Sequence, residues 1–345
     1  MPRLAIIGLG LIGGSLGLAL KRAQLKGLEI VGHDAEWGVN GRARKLGAID
    51  SEARHVAAAV EGAALVVIAT PILHVRTVLE AMAPALAEGA VVTDTASTKR
   101  DVIRWAQELL PEGVSFVGGH PIAGKEQSGL DAADAALFEG HAWAVTPPVH
   151  APEQAVKTIE NLIALVGAHP IIIDAEEHDS YLAAVSHLPL LASIALFSLA
   201  SQSQAWPDLA ALAGPGFRDV TRLASGNPDL SHDICLTNRE NLLHWLDRFG
   251  EELRRFRRVI ADSDGQDELI KTFAKAQADR DAFLEGPPER PGTTQEVESV
   301  SAGERMLSFM VGEYVVRRTK ELEQLMERRA AGEDDDDPRG RRKDR

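Results

Sequence analysis

A histidine that directly follows two glycines is the strongest candidate for chemistry in this sequence. Gly118 and Gly119 precede His120, and the acid Glu126 lies six residues beyond it. A histidine accepts a proton near neutral pH with little tuning, so His120 is a candidate general base. The glycines follow an apolar strand pattern, which predicts that His120 lies in an accessible loop after the strand.

Two further side chains could act near such a base. Ser97 follows another apolar strand pattern, and its hydroxyl could cap a helix that begins near Thr98. Arg222 carries a planar guanidinium, which can pair bidentately with a substrate carboxylate. The alternative for Arg222 is a surface salt bridge.

A glycine-rich turn between a strand and a helix is the first element that would position this chemistry. The apolar strand 4–7 leads into Gly8, Gly10 and Gly13, and a helical pattern covers residues 15–22. Such glycines permit a tight turn, close approach of the backbone to a pyrophosphate, and close packing of helix on strand. This context predicts a dinucleotide-binding fold; the alternative is a glycine-rich turn without a ligand.

An acid at the end of the second strand indicates which dinucleotide binds. Asp34 lies 21 residues after Gly13 and follows the strand 29–32. Its carboxylate would accept hydrogen bonds from ribose hydroxyls and repel a 2′-phosphate, so NAD is predicted rather than NADP. Arg42 and Arg44 could bend back toward such a phosphate, which weakens this preference.

The remaining cofactor contacts are expected at the same edge of the sheet. Free N–H groups at the helix N-terminus, around Leu11 and Ile12, would bind the phosphates. Thr70 and Pro71 follow a later strand and therefore lie at the edge where ligands bind.

Apolar strand patterns continue to alternate with helical ones. This alternation predicts an α/β fold with a mostly parallel, doubly wound sheet, that is, an N-terminal Rossmann domain. The predicted strands cover residues 65–69, 90–93, 115–117 and 171–173.

The pattern becomes helical near residue 174. Residues 178–206 are apolar almost all round, so this helix must be buried in a core or by a partner. We therefore expect an all-helical domain that dimerises, with further helices over 238–261 and 264–284. The predicted boundaries are 1–174 for the NAD-binding domain, 175–285 for the helical dimerisation and substrate domain, and 286–345 for a linker, a helix and a charged disordered tail.

Composition narrows the class of protein. The chain has 345 residues, of which 45% are hydrophobic and 26% charged, as in globular proteins of about two domains. The single cysteine, Cys235, excludes an intrachain disulfide and indicates a reducing cytoplasm. We expect Cys235 to be a small buried residue. We predict no metal site. A net charge of −14 disfavours nucleic acid and anionic membranes as partners.

Four motifs in order carry a family resemblance over about residues 4–285. Together they resemble the prephenate and arogenate dehydrogenases of tyrosine biosynthesis. The resemblance implies oxidative decarboxylation of prephenate to 4-hydroxyphenylpyruvate, or of arogenate to tyrosine, by a homodimer that uses NAD. The motifs are DTASTK at 94–99, GGHPIAGKE at 118–126, SHLP at 186–189 and GFRDVTR at 216–222.

The resemblance also implies roles for single residues. His120 would take the proton of the ring hydroxyl at C4 while hydride leaves that carbon, and Ser97 would bind the hydroxyl and the nicotinamide region. Glu126 and Asp219 match positions of an ionic network at the substrate entrance, although each could be an ordinary surface acid. His187 would orient substrate or cofactor, or be a satisfied core histidine.

Two positions depart from the family pattern. Many relatives have a second histidine where this chain has Leu190, and an aromatic residue common after the arginine is replaced within the segment 229–232. These changes concern the substrate pocket and not hydride transfer.

Two other functions remain open from the sequence. A β-hydroxy acid dehydrogenase would share the glycine turn but usually needs a lysine base in its helical region. The only lysine between Lys125 and Lys271 is Lys157, and its place on a predicted outer helix weakens this alternative. A non-catalytic dinucleotide sensor would not need His120 and Arg222 together.

Overall fold

A parallel sheet of six strands forms the first half of the computed structural model, which describes residues 2–25, 27–263 and 265–286. Its strands are β1 (Arg3–Ile7), β2 (Glu29–His33), β3 (Ser51–Glu52), β4 (Ala63–Ile68), β5 (Val91–Asp94) and β6 (Ser115–Phe116). The strand order is β3-β2-β1-β4-β5-β6, so the order reverses between β1 and β4, as in dinucleotide-binding folds. The predicted doubly wound parallel sheet is confirmed.

Helices cover this sheet, and the central strands are buried because their residues are almost all apolar. Val66 and Val67 in β4 are both fully buried, as expected for a parallel strand that is covered on both faces. The first helix begins at Leu11, four residues earlier than predicted. The helices are α1 (Leu11–Arg22), α2 (Val39–Leu46), α3 (Val56–Val60), α4 (Val75–Met82), α5 (Arg100–Leu109) and α6 (Glu153–Leu165).

A second sheet of three strands differs from the prediction. It consists of β7 (Gly118–Pro121), β8 (Ala142–Thr146) and β9 (His169–Ile172). β7 pairs with β8 in the antiparallel direction, and β8 pairs with β9 in the parallel direction. The expected strand at 171–173 therefore belongs to this small sheet and not to the large one, and β8 was not predicted.

His120 lies within β7 and not in a loop. The preceding glycines do not expose it, since only 8% of its surface is accessible. They instead allow β7 to lie close to its neighbours, because a Cβ on Gly119 would come within 2.6 Å of the Asp94 carbonyl oxygen in β5. A Cβ on Gly118 would collide with the Thr146 hydroxyl in β8.

A buried lysine holds β7 against β5. The Lys99 side chain is inaccessible to solvent, and its Nζ pairs with the equally buried Asp94 carboxylate. The same Nζ donates to the Gly119 carbonyl at 2.6 Å. Asp94 also accepts from the Gly119 amide at 3.1 Å, so both peptide groups of Gly119 are fixed.

Helices make up the second half of the described chain. Residues from Ala175 to Ser201 run as one helix that contains a π-helical turn at Ala183–His187. Such turns are frequent at functional sites. The helices are α7 (Ala175–Leu182), α8 (Leu188–Ser201), α9 (Trp206–Leu212), α10 (Pro215–Val220), α11 (Pro228–Thr237), α12 (Arg239–Ala261) and α13 (Gln266–Glu285).

The described residues leave most of this long helix uncovered. Its most apolar window is only 17% buried, and by length and composition alone it could cross a membrane. Val185 and Leu199 are 74% and 76% exposed. We expected this helix to be buried in a core or by a partner, and the described part of the chain does not form a core around it.

The expectation for Cys235 is not met, and the expectation for the C-terminal segment falls almost entirely outside the described residues. Cys235 is partly accessible and is not a fully buried small residue, because it lies on α11 near the surface of the helical part. Burial nevertheless raises the pKa of its thiol. The predicted linker, helix and charged tail fall on residues 286–345, of which all but Gly286 lie outside the described residues.

The buried ion pair predicts a stability effect. We expect Lys99→Met to lower the free energy of unfolding by about 3–5 kcal/mol, because it leaves the Asp94 carboxylate buried without its cation. Urea unfolding followed by circular dichroism measures the change. Lys157→Met is the matched control, since Lys157 is 54% exposed and pairs with Glu160 at the surface. Equal losses in the two variants would contradict this role of Lys99.

Candidate active site

The carboxyl ends of the central strands lie level at one edge of the large sheet. Ile7 at the end of β1 is in register with His33 of β2 and with Ile68 of β4, and Ile68 is in register with Asp94 of β5. The residues that follow these strands therefore meet at the edge where doubly wound sheets bind ligands.

The glycine turn at this edge fits a dinucleotide. Gly8 has a φ of +96°, and a Cβ there would collide with the Ala69 carbonyl, so only glycine makes this turn. A Cβ on Gly13 would collide with the Gly8 carbonyl oxygen, which explains the close packing of α1 on β1. By contrast, nothing among the described residues lies within 4 Å of a Cβ on Gly10, so the backbone there is open to a ligand.

The start of α1 adds free donors to this turn. The first helical hydrogen bond runs from the Gly14 amide to the Gly10 carbonyl at 2.9 Å. The amides of Leu11, Ile12 and Gly13 therefore have no partner within the helix. α1 has no side-chain cap and no acid in its first turn, which leaves its N-terminus suited to an anion.

Asp34 lies beside the turn, at the end of β2. One carboxylate oxygen accepts the Leu9 amide at 2.7 Å, and the other accepts the Glu36 amide at 2.8 Å. These bonds fix the carboxylate at the wall of a cavity of about 560 Å³. The cavity is also lined by Trp37, whose side chain is 96% exposed, and by Arg54.

Arg54 is a cation of the cofactor region that sequence reasoning missed. The two arginines considered from the sequence do not line the cavity, and Arg42 pairs with Asp131 at 3.1 Å. Arg54 follows the short edge strand β3, which pairs with β2, and a two-residue strand gives a weak sequence signal.

Thr70 and Pro71 lie next to the glycine turn. A Cβ on Gly8 would come within 3.0 Å of the Thr70 amide, so the two segments touch. The Thr70 hydroxyl is buried and has no hydrogen-bond partner within the described chain. Pro71 precedes a short 3₁₀ turn at Ile72–His74.

His120 is the first member of a buried chain of hydrogen bonds. Its Nδ1 lies 2.9 Å from Nε2 of His178, and Nδ1 of His178 lies 2.8 Å from Oδ1 of Asp179. His178 is fully buried, and Asp179 is 1% exposed. Both come from α7, so the helical part of the chain contacts the candidate base directly.

Asp179 also caps α5 from outside that helix. Its carboxylate accepts the Lys99 amide at 2.7 Å and the Arg100 amide at 3.0 Å. Capping of this helix by Ser97 is therefore wrong, because α5 begins at Arg100 and has no cap from its own side chains. Ser97 is partly buried, between β5 and α5, and its hydroxyl makes no hydrogen bond to another described residue.

Burial keeps His120 neutral. Loss of solvent, followed by the nearby His178, Lys99 and His187, holds the pKa of His120 well below its usual value. At neutral pH the imidazole is therefore unprotonated at one nitrogen, as a general base must be.

His187 is the last residue of the π-helical turn and lies in the same buried region. Its Nδ1 is 3.1 Å from Nδ2 of Asn238, which also donates to the Asp179 carbonyl at 2.7 Å. Since that amide nitrogen is a donor, Nδ1 of His187 is an acceptor and its Nε2 carries the proton. This Nε2 is buried without a partner among the described residues, and burial lowers the pKa of His187 to about 4.

Arg222 and Glu126 form an ion pair although 96 residues separate them. Arg222 begins a 3₁₀ turn at Arg222–Ser225, and its side chain is 60% exposed. A hydrogen bond from its own backbone amide, followed by the Arg222 guanidinium, lowers the pKa of Glu126. Asp219 is exposed on α10, and no hydrogen bond or ion pair joins it to Arg222 or Glu126.

Comparison with known families covers both halves of the chain. A family model for the nucleotide-binding domain of prephenate dehydrogenase matches residues 16–172. A model for the dimerization domain of prephenate dehydrogenase matches residues 174–275.

Similar proteins carry related names. The prephenate dehydrogenase of Bacillus subtilis is 34% identical over 317 residues, which cover 87% of this chain and 85% of that protein. The cyclohexadienyl dehydrogenase of Zymomonas mobilis is 37% identical over 290 residues, which cover 84% of this chain and 98% of that protein.

A solved structure agrees with these relatives. Prephenate dehydrogenase from Aquifex aeolicus, in complex with hydroxyphenyl propionate and NAD⁺, superimposes with a TM-score of 0.77 at 30% identity. The match covers 82% of this chain and 98% of that one. Family models, relatives and fold therefore agree, and this chain belongs to the prephenate dehydrogenase family.

Proposed function

We propose that this chain catalyses the NAD-dependent oxidative decarboxylation of prephenate to 4-hydroxyphenylpyruvate. One observation carries the assignment of the base. Nδ1 of His120 is engaged by His178 at 2.9 Å, which leaves Nε2 as the nitrogen that can accept a substrate proton. The B. subtilis and A. aeolicus proteins, both named prephenate dehydrogenase, support the choice of substrate.

The chemistry requires only a base and well-placed polar groups from the protein. NAD, when bound, supplies the hydride acceptor for the hydrogen on C4 of the ring. Nε2 of His120 takes the proton of the C4 hydroxyl. Cleavage of the bond to the ring carboxylate releases carbon dioxide, and its electron pair completes the aromatic ring. The resulting phenolate oxygen takes the proton back from His120, which gives the phenol and restores the base.

Two side chains would orient the hydroxyl and the nicotinamide region. Nε2 of His187 is a buried donor without a partner among the described residues. Because a buried donor left unpaired is costly, we propose that it donates to an acceptor on the bound ligands. Ser97 follows β5 at the same sheet edge, and we assign its hydroxyl to the C4 hydroxyl of the substrate.

Arg222 would bind a carboxylate of the substrate. Its guanidinium is accessible and already pairs with a carboxylate, that of Glu126. A bound substrate carboxylate could pair bidentately with this guanidinium. We place Glu126 and Asp219 at the entrance of the site, where their charges act on the approach of the anionic substrate.

The assembly follows from the exposed apolar helix. We propose that a second copy of the chain covers α8 and the turn before it, as the name of the matching dimerization domain suggests. Lipid is a poor partner, because the same helix carries His178 and Asp179 in the buried site. We place this homodimer in the cytoplasm, without nucleic acid or membrane partners, and assign residues 1–174 to NAD and 175–285 to substrate and dimer.

Arogenate is the second candidate substrate. The relative from Z. mobilis is named cyclohexadienyl dehydrogenase, and a Synechocystis arogenate dehydrogenase has a TM-score of 0.70 at 27% identity. Arogenate carries an amino group where prephenate carries a keto group on the side chain, away from the reacting carbon. His120 would act on both in the same way.

The initial rate of NAD reduction tests the proposal. Prephenate and arogenate are compared in parallel, and each assay is repeated with NADP. We expect the faster rate with prephenate and NAD. A faster rate with arogenate would assign the second candidate, and no reduction with either substrate in protein that binds NAD would reject the proposed function.

Removal of the base should abolish most turnover. We expect His120→Ala to lower kcat by about 10²–10⁴-fold, because no other group takes up the hydroxyl proton, while NAD still binds. Steady-state kinetics and calorimetric titration with NAD measure the two effects. His150→Ala is the matched control, since His150 is an exposed histidine whose side chain makes no hydrogen bond to the site residues. Wild-type turnover in His120→Ala would remove His120 from the mechanism.

Loss of the guanidinium should act mainly on substrate binding. We expect Arg222→Ala to raise the KM for prephenate with a smaller change in kcat, because the lost contact is present in both ground and transition states. Arg239→Ala removes another exposed arginine and is the control. A change in Arg222→Ala that is confined to thermal stability would return Arg222 to a purely structural role.

The acid at the end of β2 should set the choice of cofactor. We expect Asp34→Ala to weaken NAD binding and to improve NADP binding, because the repulsion of a 2′-phosphate is removed. Arg54 lines the same cavity, so the gain in NADP binding should be smaller in the double variant with Arg54→Ala. Calorimetric titration with both cofactors measures this, and unchanged affinities in Asp34→Ala would contradict the ribose contact.

A further inference from the structure

We propose that His178 and Asp179 form a positioning pair, which holds His120 in the tautomer whose Nε2 accepts the substrate proton. The inference deepens the proposed function and rests on it, since it concerns how the proposed base is oriented. The two residues are consecutive on α7, and both side chains are buried.

The Asp179 carboxylate accepts hydrogen bonds from three donors. Two of them are the backbone amides of Lys99 and Arg100, at 2.7 Å and 3.0 Å, and backbone amides can only donate. The carboxylate lies at the N-terminus of α5, where the helix dipole favours a negative charge. An ionised carboxylate has acceptor sites only, so it fixes the direction of its third contact, with His178.

The direction of that contact determines both imidazole tautomers. Nδ1 of His178 must carry a proton to donate to Asp179 at 2.8 Å, so Nε2 of the neutral ring is an acceptor. That acceptor lies 2.9 Å from Nδ1 of His120, which must therefore carry a proton. Nε2 of the neutral His120 is left with its lone pair, as proton uptake from a hydroxyl requires.

The same contacts stabilise the ring after it has taken up the proton. His120 then carries a positive charge and still donates from Nδ1 to His178, and the negative charge of Asp179 lies just beyond. No proton passes to Asp179 in this arrangement. The other titratable groups that face His120 are His187 and Lys99, and Lys99 is itself paired with Asp94.

A matched pair of variants at position 178 separates positioning from packing. Gln and Leu have similar volumes, but only Gln offers an oxygen acceptor to Nδ1 of His120. We expect kcat to fall about 10²-fold or more in His178→Leu and only roughly tenfold in His178→Gln, with unchanged NAD affinity in both. Equal kcat values in the two variants would overturn the proposal.

A second pair of variants tests the carboxylate. We expect Asp179→Asn to lower kcat/KM by about 10²–10⁴-fold, because the neutral amide removes the charged acceptor that fixes the tautomers of His178 and His120. The acid limb of the kcat/KM profile should also move to lower pH, since the protonated His120 loses a stabilising negative charge. Asp174→Asn is the control, because the exposed Asp174 carboxylate caps α7 and makes no hydrogen bond to a histidine, and its backbone carbonyl, which accepts the His178 amide, is kept.

The results distinguish a failure of the positioning pair from a failure of the proposed function. Wild-type enzyme that reduces NAD with prephenate, together with full activity or an unmoved acid limb in Asp179→Asn, would overturn the positioning pair and leave the proposed function intact. Wild-type enzyme without this activity would overturn the proposed function itself. Thermal denaturation of each variant detects activity that is lost because part of the protein is unfolded. Incomplete folding alone would lower the activity but leave the shape of the pH profile unchanged.

Discussion

The geometry of the site depends on the contacts that the Asp179 carboxylate makes at the start of α5. It joins the helical half of the chain to the nucleotide-binding half, because it accepts the amides of Lys99 and Arg100. The same carboxylate holds His178, and His178 holds His120. A single buried charge therefore fixes the relative position of two regions and the orientation of the proposed base.

The segment between β5 and α5 gives the site its second fixed point. Lys99 pairs with Asp94 and donates to the Gly119 carbonyl, one residue before His120. His120 is thus held through its backbone by Lys99 and through its ring by His178. Burial of these charges is tolerated because each has a partner, and it keeps water away from the neutral imidazole.

The sequence predicted the features that depend on local patterns better than it predicted contacts between residues far apart in the chain. The glycine turn and Asp34 are close in sequence, and their spacing, together with the strand and helix patterns around them, indicated the nucleotide-binding fold. His120 was found from its motif but placed in a loop, because a four-residue strand with two glycines has little strand character. The resemblance to a known family suggested Glu126 and Arg222, and the structure shows that they are paired.

The contacts that sequence reasoning missed join residues far apart in the chain. Asp179 and Lys99 are 80 residues apart, and His120 and His178 are 58 apart. No periodicity records such a pairing. The available signal was the position of His178 and Asp179 at the start of a long helix that was expected to be buried, since buried polar side chains need partners. The apolar residues of α8 were expected to need a cover, and among the described residues several of them are exposed.

The tautomer of His120 is the most direct test of this account, and nitrogen NMR reads it without turnover. Protein labelled with ¹⁵N-histidine gives separate signals for protonated and unprotonated ring nitrogens, and the His120 signals are those absent from His120→Asn. The account predicts a protonated Nδ1 and an unprotonated Nε2 at neutral pH. A protonated Nε2 with an unprotonated Nδ1 would contradict it, because the proposed base would then have no lone pair for the substrate.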